Sequence, residues 1–414
     1  MNHPLHNRDF RWLLISRVLG NLSLGFAEVP LMWWVLEKTG QASLVATVAL
    51  IGALGALVAA PLGGVWADVG HKKRQISLTL LADILIQGLL IWAVASHSLT
   101  LGGIYLLVGL SALFGNLRSP ALGALLPLLL RVEQYQQGNA VMSLVVTVGM
   151  AASFAAAGAV TGWLGVSGAL LVGLLLIALS ILTLLPMREP KPIPTQKPVQ
   201  PAGALAEGLG FVWRTPVVFW LMGMAMLLNL ILAPIGPLLA PLAKLLGGSA
   251  TQYGLLSTGF FVGELLGLVA LNFIQVRNRF LTWMVGTWVL GGAVALLAWA
   301  PTPGLALGLL ALFGVAASFM NVQAITLLQQ VIPKEMMGRI SGVLQGLNMG
   351  VQPLGLGASS ALVGWLGLRN LFGVMGVLLM LVSLAFLQRP VRAAFSVPEP
   401  SSAPSNPAAA GGSP

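Results

Sequence analysis

Five charged side chains, Arg17, Glu28, Asp83, Arg118 and Glu264, stand inside long apolar runs of this sequence. A charge in hydrocarbon costs roughly 2.5–3.5 kcal/mol on insertion scales, so each needs a partner or a task. Asp83 and Arg118 both lie roughly 13 Å, at 1.5 Å per residue, from the same-side ends of neighbouring runs. Equal depth suits a buried ion pair that holds structure or a gate. Arg17 sits about five residues into its run, close enough to snorkel to the interface as an anchor or gate. Glu28, past the middle of the first run, and Glu264, midway along the eighth, are carboxylates able to exchange a proton or hold a polar ligand. The alternative for each is a carboxylate held by neighbouring helices for packing.

Other chemistries lack their residues. There is no cysteine, hence no disulfide, thiolate metal site or thiol nucleophile. His3, His6, His71 and His97 fall at the N-terminus or between apolar runs, which leaves no buried imidazole for catalysis or for a metal. No G-x-x-x-x-G-K-[ST] loop is present, so ATP is not the expected energy source. A membrane-embedded enzyme and a non-transporting receptor are the remaining alternatives. The first lacks a catalytic constellation and the second an appended soluble domain.

The elements that must position these charges are set by composition. Of 414 residues, 57% are hydrophobic and 8% charged, whereas a soluble domain carries about 25% charged residues. A bilayer is the medium that tolerates so little polar surface. Apolar runs near the spanning length of about 20 residues recur along the chain. They cover 12–36, 42–66, 76–95, 101–126, 140–164, 167–185, 216–239, 252–273, 281–299, 304–328, 340–366 and 371–387. The expected fold is an all-α membrane protein of twelve transmembrane helices in two six-helix halves. Its expected parts are an N-terminal bundle (1–186), a linker with a short amphipathic helix (187–215), a C-terminal bundle (216–390) and a disordered tail (391–414).

Of the 21 Lys and Arg, only Lys38, Lys244 and Arg369 fall in the loops of one parity. Arg17 and Arg118 are within runs, and the rest crowd the other side. That bias makes the basic side cytoplasmic and puts both termini there, in a multi-pass protein of the cell membrane. It also accounts for the net charge of +10 without nucleic acid as a partner. The proline-rich stretch 187–203 divides the chain, and the two halves echo each other. The tetrapeptide GWLG occurs at Gly162–Gly165 and again at Gly364–Gly367, before the last run of each half. Parallel six-helix repeats imply rocking-type alternating access. The Trp33-Trp34 pair reads as interfacial aromatic belt, and Pro234, Pro237 and Pro241 as breaks at the outer end of the seventh run.

The loop after the second run reads Gly63-Gly64-Val65-Trp66-Ala67-Asp68-Val69-Gly70-His71-Lys72-Lys73-Arg74. It resembles the G-x-x-x-D-R-x-x-R-K signature of the major facilitator superfamily, with Gly64, Asp68, Lys72 and Lys73 matching and Val69 replacing the usual arginine. The chain further resembles that family's drug and siderophore exporters, macrolide efflux pumps among them. The matching pieces are 36–40 (LEKTG), 119–122 (SPAL) with 126–127 (LP), 206–208 (AEG), and 329–335 (QQVIPKE) running into Gly338-Arg339. One departure is the fifth run. It carries Gly149, Gly158 and Gly162 but no proline, and so lacks the G-x-x-x-G-P-x-x-G-G antiporter motif.

The resemblance implies a monomeric secondary exporter of amphiphilic drugs or metabolites, driven by the proton gradient and without a cofactor. A siderophore or other polar metabolite is the alternative substrate. It places Glu28 beside the central passage and Glu264 partly along it. Asn229, Asn321 and Gln323 would line the C-terminal side of the passage, either orienting the ligand or bonding between helices.

Overall fold

The structure, a computed structural model, describes residues 4–69, 71–189, 201–274, 279–333 and 336–384. The side chain of Asp68 and the expected tail lie outside the described residues, as does most of the proline-rich stretch. Fourteen α-helices follow in order. They are α1 (Arg8–Thr39), α2 (Ala42–Val69), α3 (Lys72–Ala95), α4 (Leu101–Leu117), α5 (Ser119–Leu129), α6 (Tyr135–Leu184) and α7 (Pro201–Arg214). Then come α8 (Pro216–Leu232), α9 (Ile235–Leu245), α10 (Ala250–Ala270), α11 (Arg279–Leu297), α12 (Pro303–Val331), α13 (Met337–Leu366) and α14 (Leu368–Val382).

Local chemistry turns these fourteen helices into twelve crossings. Pro120 has no N–H to donate, so the span holding α4 and α5 breaks at Arg118. Pro234 breaks the next half's first span between α8 and α9 in the same way. The continuous run of α6 is two crossings joined at Gly165, whose φ of 72° leaves the helical region. Gly367, at the same place in the second GWLG, has φ 76° and separates α13 from α14. Only glycine adopts that backbone without strain. The two tryptophans of the repeat, Trp163 and Trp365, are 84% and 90% exposed at these turns, a matched pair of interfacial anchors. Nine of the described helical stretches are long and apolar enough to cross a bilayer, the stretch through α6 counting once. The protein is thus a multi-pass membrane protein with two six-helix halves. The amphipathic α7 packs Val212 against α8 and α13 and leaves Trp213 exposed.

Inside the N-terminal half, α1 lies along α6. Ser16 and Ser180 share a hydrogen bond of 2.8 Å, and Gly25 abuts Ser153, which accepts the Gly25 N–H at 2.8 Å. A β-carbon at Gly25 would collide with the Ser153 backbone. Contacts between the halves gather at the end remote from the chain's start. A β-carbon on Gly158 of α6 would stand 2.8 Å from the Gly254 Cα of α10. Thr258 donates to Ala151 O at 3.1 Å, Thr47 and Ser360 share a 2.8 Å bond, and Lys244 Nζ donates to Leu36 O at 3.2 Å. This is small-residue packing, the mode open to helices that gain nothing from burying apolar surface out of lipid.

Trp33 departs from the belt expectation. It is 7% exposed, packed in the core, and its indole donates to Glu37 at 2.7 Å. The end of α1 is sandwiched between α2 and α9, so its tryptophan meets protein rather than lipid.

Replacing either Gly165 or Gly367 by Ala forces an L-residue into an extended backbone with positive φ that is nearly confined to glycine, at about 1–3 kcal/mol. Each single variant is expected to melt a few degrees lower in detergent, by similar amounts. Unchanged melting in both would show that the two turns do not depend on their glycines.

Candidate functional site

Positions 17, 21, 24 and 28 of α1 share one helix face, since four-, seven- and eleven-residue steps nearly close whole turns. Arg17, Asn21, Leu24 and Glu28 all line a cavity of about 520 Å³ enclosed by α1 to α6. Because α1 begins at Arg8, before the apolar run does, Arg17 is nine residues inside the helix. It lines the cavity from that depth.

Opposite this stripe, Arg118 Nη1 donates to Asp83 Oδ2 at 2.6 Å and Ser111 adds a 3.3 Å bond to Oδ1. The side chains of the pair are 13% and 7% exposed. The helix break at Arg118 turns its guanidinium toward α3, where Asp83 supplies the counter-charge. Gln87, one turn further along α3, is buried and spends its amide on Leu170 O at 2.9 Å.

Three lining groups keep unspent polar capacity. Arg17 has no ion pair or hydrogen bond among the described residues, and it is near enough to Arg118 for the two charges to repel. Asn21 is 4% exposed and its Nδ2 has no partner. Glu28 has no hydrogen bond or ion pair among the described residues, and apolar neighbours such as Leu24, Leu31 and Met32 surround it. Across the boundary between the halves, Tyr253 of α10 is fully buried, with an unpaired phenol oxygen close enough to interact with the Glu28 charge.

The other candidates are elsewhere. Asn229 donates to Ala225 O at 2.8 Å and to Asn348 Oδ1 at 3.4 Å, tying α8 to α13. Glu264 on α10 and Gln323 on α12 are half-buried, and Asn321 is exposed. None of these four lines the cavity that holds Glu28.

At the turn between α2 and α3, the close approach belongs to Gly63, not Gly64. A β-carbon on Gly63 would sit 2.9 Å from Leu117 O, whereas Gly64 has open space around it. Gln75 bridges the crossing by donating to Gly63 O and Leu117 O. Lys73 Nζ donates to Leu185 O and Met187 O at the C-terminus of α6, while Glu189 accepts the Lys72 N–H at 2.6 Å at the N-terminus of α3. Each charge thus meets the helix end whose dipole it complements. His71 Nδ1 lies 3.6 Å from Glu189. Glu189 therefore places a carboxylate on this turn, against the Lys72 N–H and beside His71.

Asn21 was legible as a member of the α1 stripe once Arg17 and Glu28 were placed on one helix. Tyr253 and Glu189 carried no such signal, since their partners are far away in the chain.

Asp83→Asn would leave Arg118 buried without its counter-ion. A loss of up to about 3 kcal/mol in detergent melting is expected, with much of it recovered by Asp83→Asn combined with Arg118→Gln. An Asp83→Asn protein as stable as the parent would show that the pair contributes nothing.

Comparison with known proteins agrees with this architecture. The chain is 24% identical over 388 residues to the multidrug efflux pump Tap of Mycolicibacterium fortuitum, covering 91% of this chain and 95% of that protein. It is 30% identical over 396 residues to the enterobactin exporter EntS of Escherichia coli O1:K1 / APEC, covering 90% and 91%. The fold matches the crystal structure of the nucleoside transporter NupG with a TM-score of 0.72 at 14% identity, covering 94% and 100%. It matches a bacterial homologue of the iron transporter ferroportin in its inward-facing state equally well, with a TM-score of 0.72 at 17% identity over 92% and 98%. The Major Facilitator Superfamily model matches residues 13–235 and 223–413, overlapping stretches that together cover both halves. With both halves matched, the chain belongs to the major facilitator superfamily and is a membrane transporter, not an enzyme.

Proposed function

We propose that the protein exports amphiphilic small molecules, drug-like or metabolic, in exchange for inward proton flow, by alternating access. The observation that carries this reading is Glu28, a carboxylate in the cavity without a fixed hydrogen-bond or ion-pair partner among the described residues. A carboxylate with no committed counter-ion can trade a ligand for a proton, and intramembrane carboxylates mark such pathways. The names of Tap and EntS, exporters matching nine-tenths of this chain, support the direction of transport.

In this reading the basic end of the bundle, bearing Lys72, Lys73, Arg131, Arg188, Arg214 and Arg339, faces the cytoplasm. The end joined by Gly158 and Gly254 is then extracellular. Residues 1–186 and 216–390 rock against each other as bundles linked through 187–215, in a protein that works as a monomer. Asp83 with Arg118, and the Gly64–Lys73 turn with Asp68, hold the N-terminal bundle rigid or gate it. Glu264, Asn229, Asn321 and Gln323 are the polar groups that the C-terminal bundle offers the passage when the halves rearrange.

Glu28 shares the cavity with Arg17, Asp83 and Arg118, and Tyr253 lies close enough to interact with its charge. In inside-out vesicles, uptake of an amphiphilic panel that includes macrolides is expected to rise when the lumen is acidified. Glu28→Gln is expected to remove that response at least tenfold, about 1.4 kcal/mol, while binding of the same compounds survives. Gradient-driven uptake that is intact in Glu28→Gln would take Glu28 out of the coupling.

A further inference from the structure

The cavity that holds Glu28 carries as many carboxylates as cations, yet one of its cations has no carboxylate beside it. Four charged side chains line it: Arg17, Glu28, Asp83 and Arg118. Asp83 is committed to Arg118 at 2.6 Å. Arg17 and Glu28 are eleven residues apart on α1, roughly 16 Å along the axis, too far to satisfy each other. Arg17 is thus a guanidinium without an acceptor, repelled by Arg118. One turn away on the same face, Asn21 is 4% exposed with its amide nitrogen unpaired. An unpaired buried amide is costly unless something outside the chain accepts its hydrogen bond.

We propose that the transported ligand is an anionic amphiphile whose acidic group docks between Arg17 and Asn21. Arg118, held in place by Asp83, adds a second positive charge behind this pole. A guanidinium fork and a neighbouring amide suit a carboxylate, sulfonate or phenolate, which accepts from both at once. Beyond Asn21 the stripe becomes apolar at Leu24, and with Ala27, Leu31 and Met32 it forms a sleeve for a hydrocarbon or aromatic body. Glu28 closes the far pole. A ligand with its anion at Arg17 extends its apolar part toward Glu28. A cationic group at this pole meets a guanidinium with no ion-pair partner among the described residues. This assignment rests on the exporter reading for its direction of movement, though binding itself does not require it.

The test uses the full-length protein in detergent with three fluorescent probes of one skeleton: pyrenebutyrate, its methyl ester and pyrenebutylamine. The parent protein is expected to bind the acid at least tenfold more tightly than the ester or the amine. Arg17→Gln is expected to abolish that preference, and Arg17→Lys to retain part of it, because a point charge replaces the fork. Asn21→Leu should weaken the acid several-fold and leave the ester unchanged. Equal binding of all three probes by the parent, or preference for the amine, would overturn the proposal, and neither result depends on a variant folding. An acid preference that survives in a folded Arg17→Gln would also overturn it. The exporter reading fails separately. If pyrenebutyrate binds through Arg17 but its flux in vesicles ignores the proton gradient, the site stands and the coupling does not. If flux follows the gradient for the amine and is indifferent to Arg17, the coupling stands and the anionic site does not.

Discussion

Hydrocarbon supplies no hydrogen bonds and solvates no charge, and most of this molecule follows from that. Backbone groups must be satisfied within each span, which leaves helices as the available element for a chain of this composition. Every charge inside the spans must answer for its cost. Four of the five intramembrane charges meet in one cavity of the N-terminal half, and two of them, Asp83 and Arg118, neutralise each other. The other two, Arg17 and Glu28, have no ion-pair partner among the described residues.

The same constraint shapes how the helices hold together. Lipid tails are as apolar as leucine side chains, so association relies on close packing and short polar bonds. Along α1 and α6 these are Ser16 with Ser180 and Gly25 with Ser153. Between the halves they are Gly158 on Gly254, Thr47 with Ser360 and Thr258 with Ala151 O. Contacts of this kind are individually weak, of the order of 0.6 kcal/mol for an interhelical hydrogen bond. A seam built from them can open and re-form, which is what movement between two half-bundles asks of an interface.

Charges at the helix ends do different work. Glu189 at the start of α3 and Lys73 at the end of α6 complement opposite dipole ends within one turn of chain. Glu207 and Arg339 form a comparable bond between α7 and α13 in the second half. Both sets lie where water is available, so they add rigidity to the basic end without the penalty borne inside the cavity.

Much of the fold was legible in the sequence because its signals are local. Span length, the Lys and Arg bias, the proline break at Pro234 and the repeated GWLG are properties of neighbouring residues, whereas the break before Pro120 appeared only in the structure. Gly165 and Gly367 take the same positive-φ turn in each half because both sit after the same tripeptide and no L side chain suits that backbone. The site was legible only along single helices. Arg17 and Glu28 could be placed on one face of α1, and equal depth suggested that Asp83 and Arg118 belonged together. Which polar groups remain unpaired depends on contacts between residues far apart in the chain, and no spacing rule reveals those. Tertiary structure alone spent Asn229 on Asn348, took Trp33 out of the lipid interface, put the close approach of α2 at Gly63, and set Tyr253 of one half against Glu28 of the other. Helix formation and membrane insertion are decided residue by residue, whereas the emptiness of a cavity is decided by everything that fails to fill it.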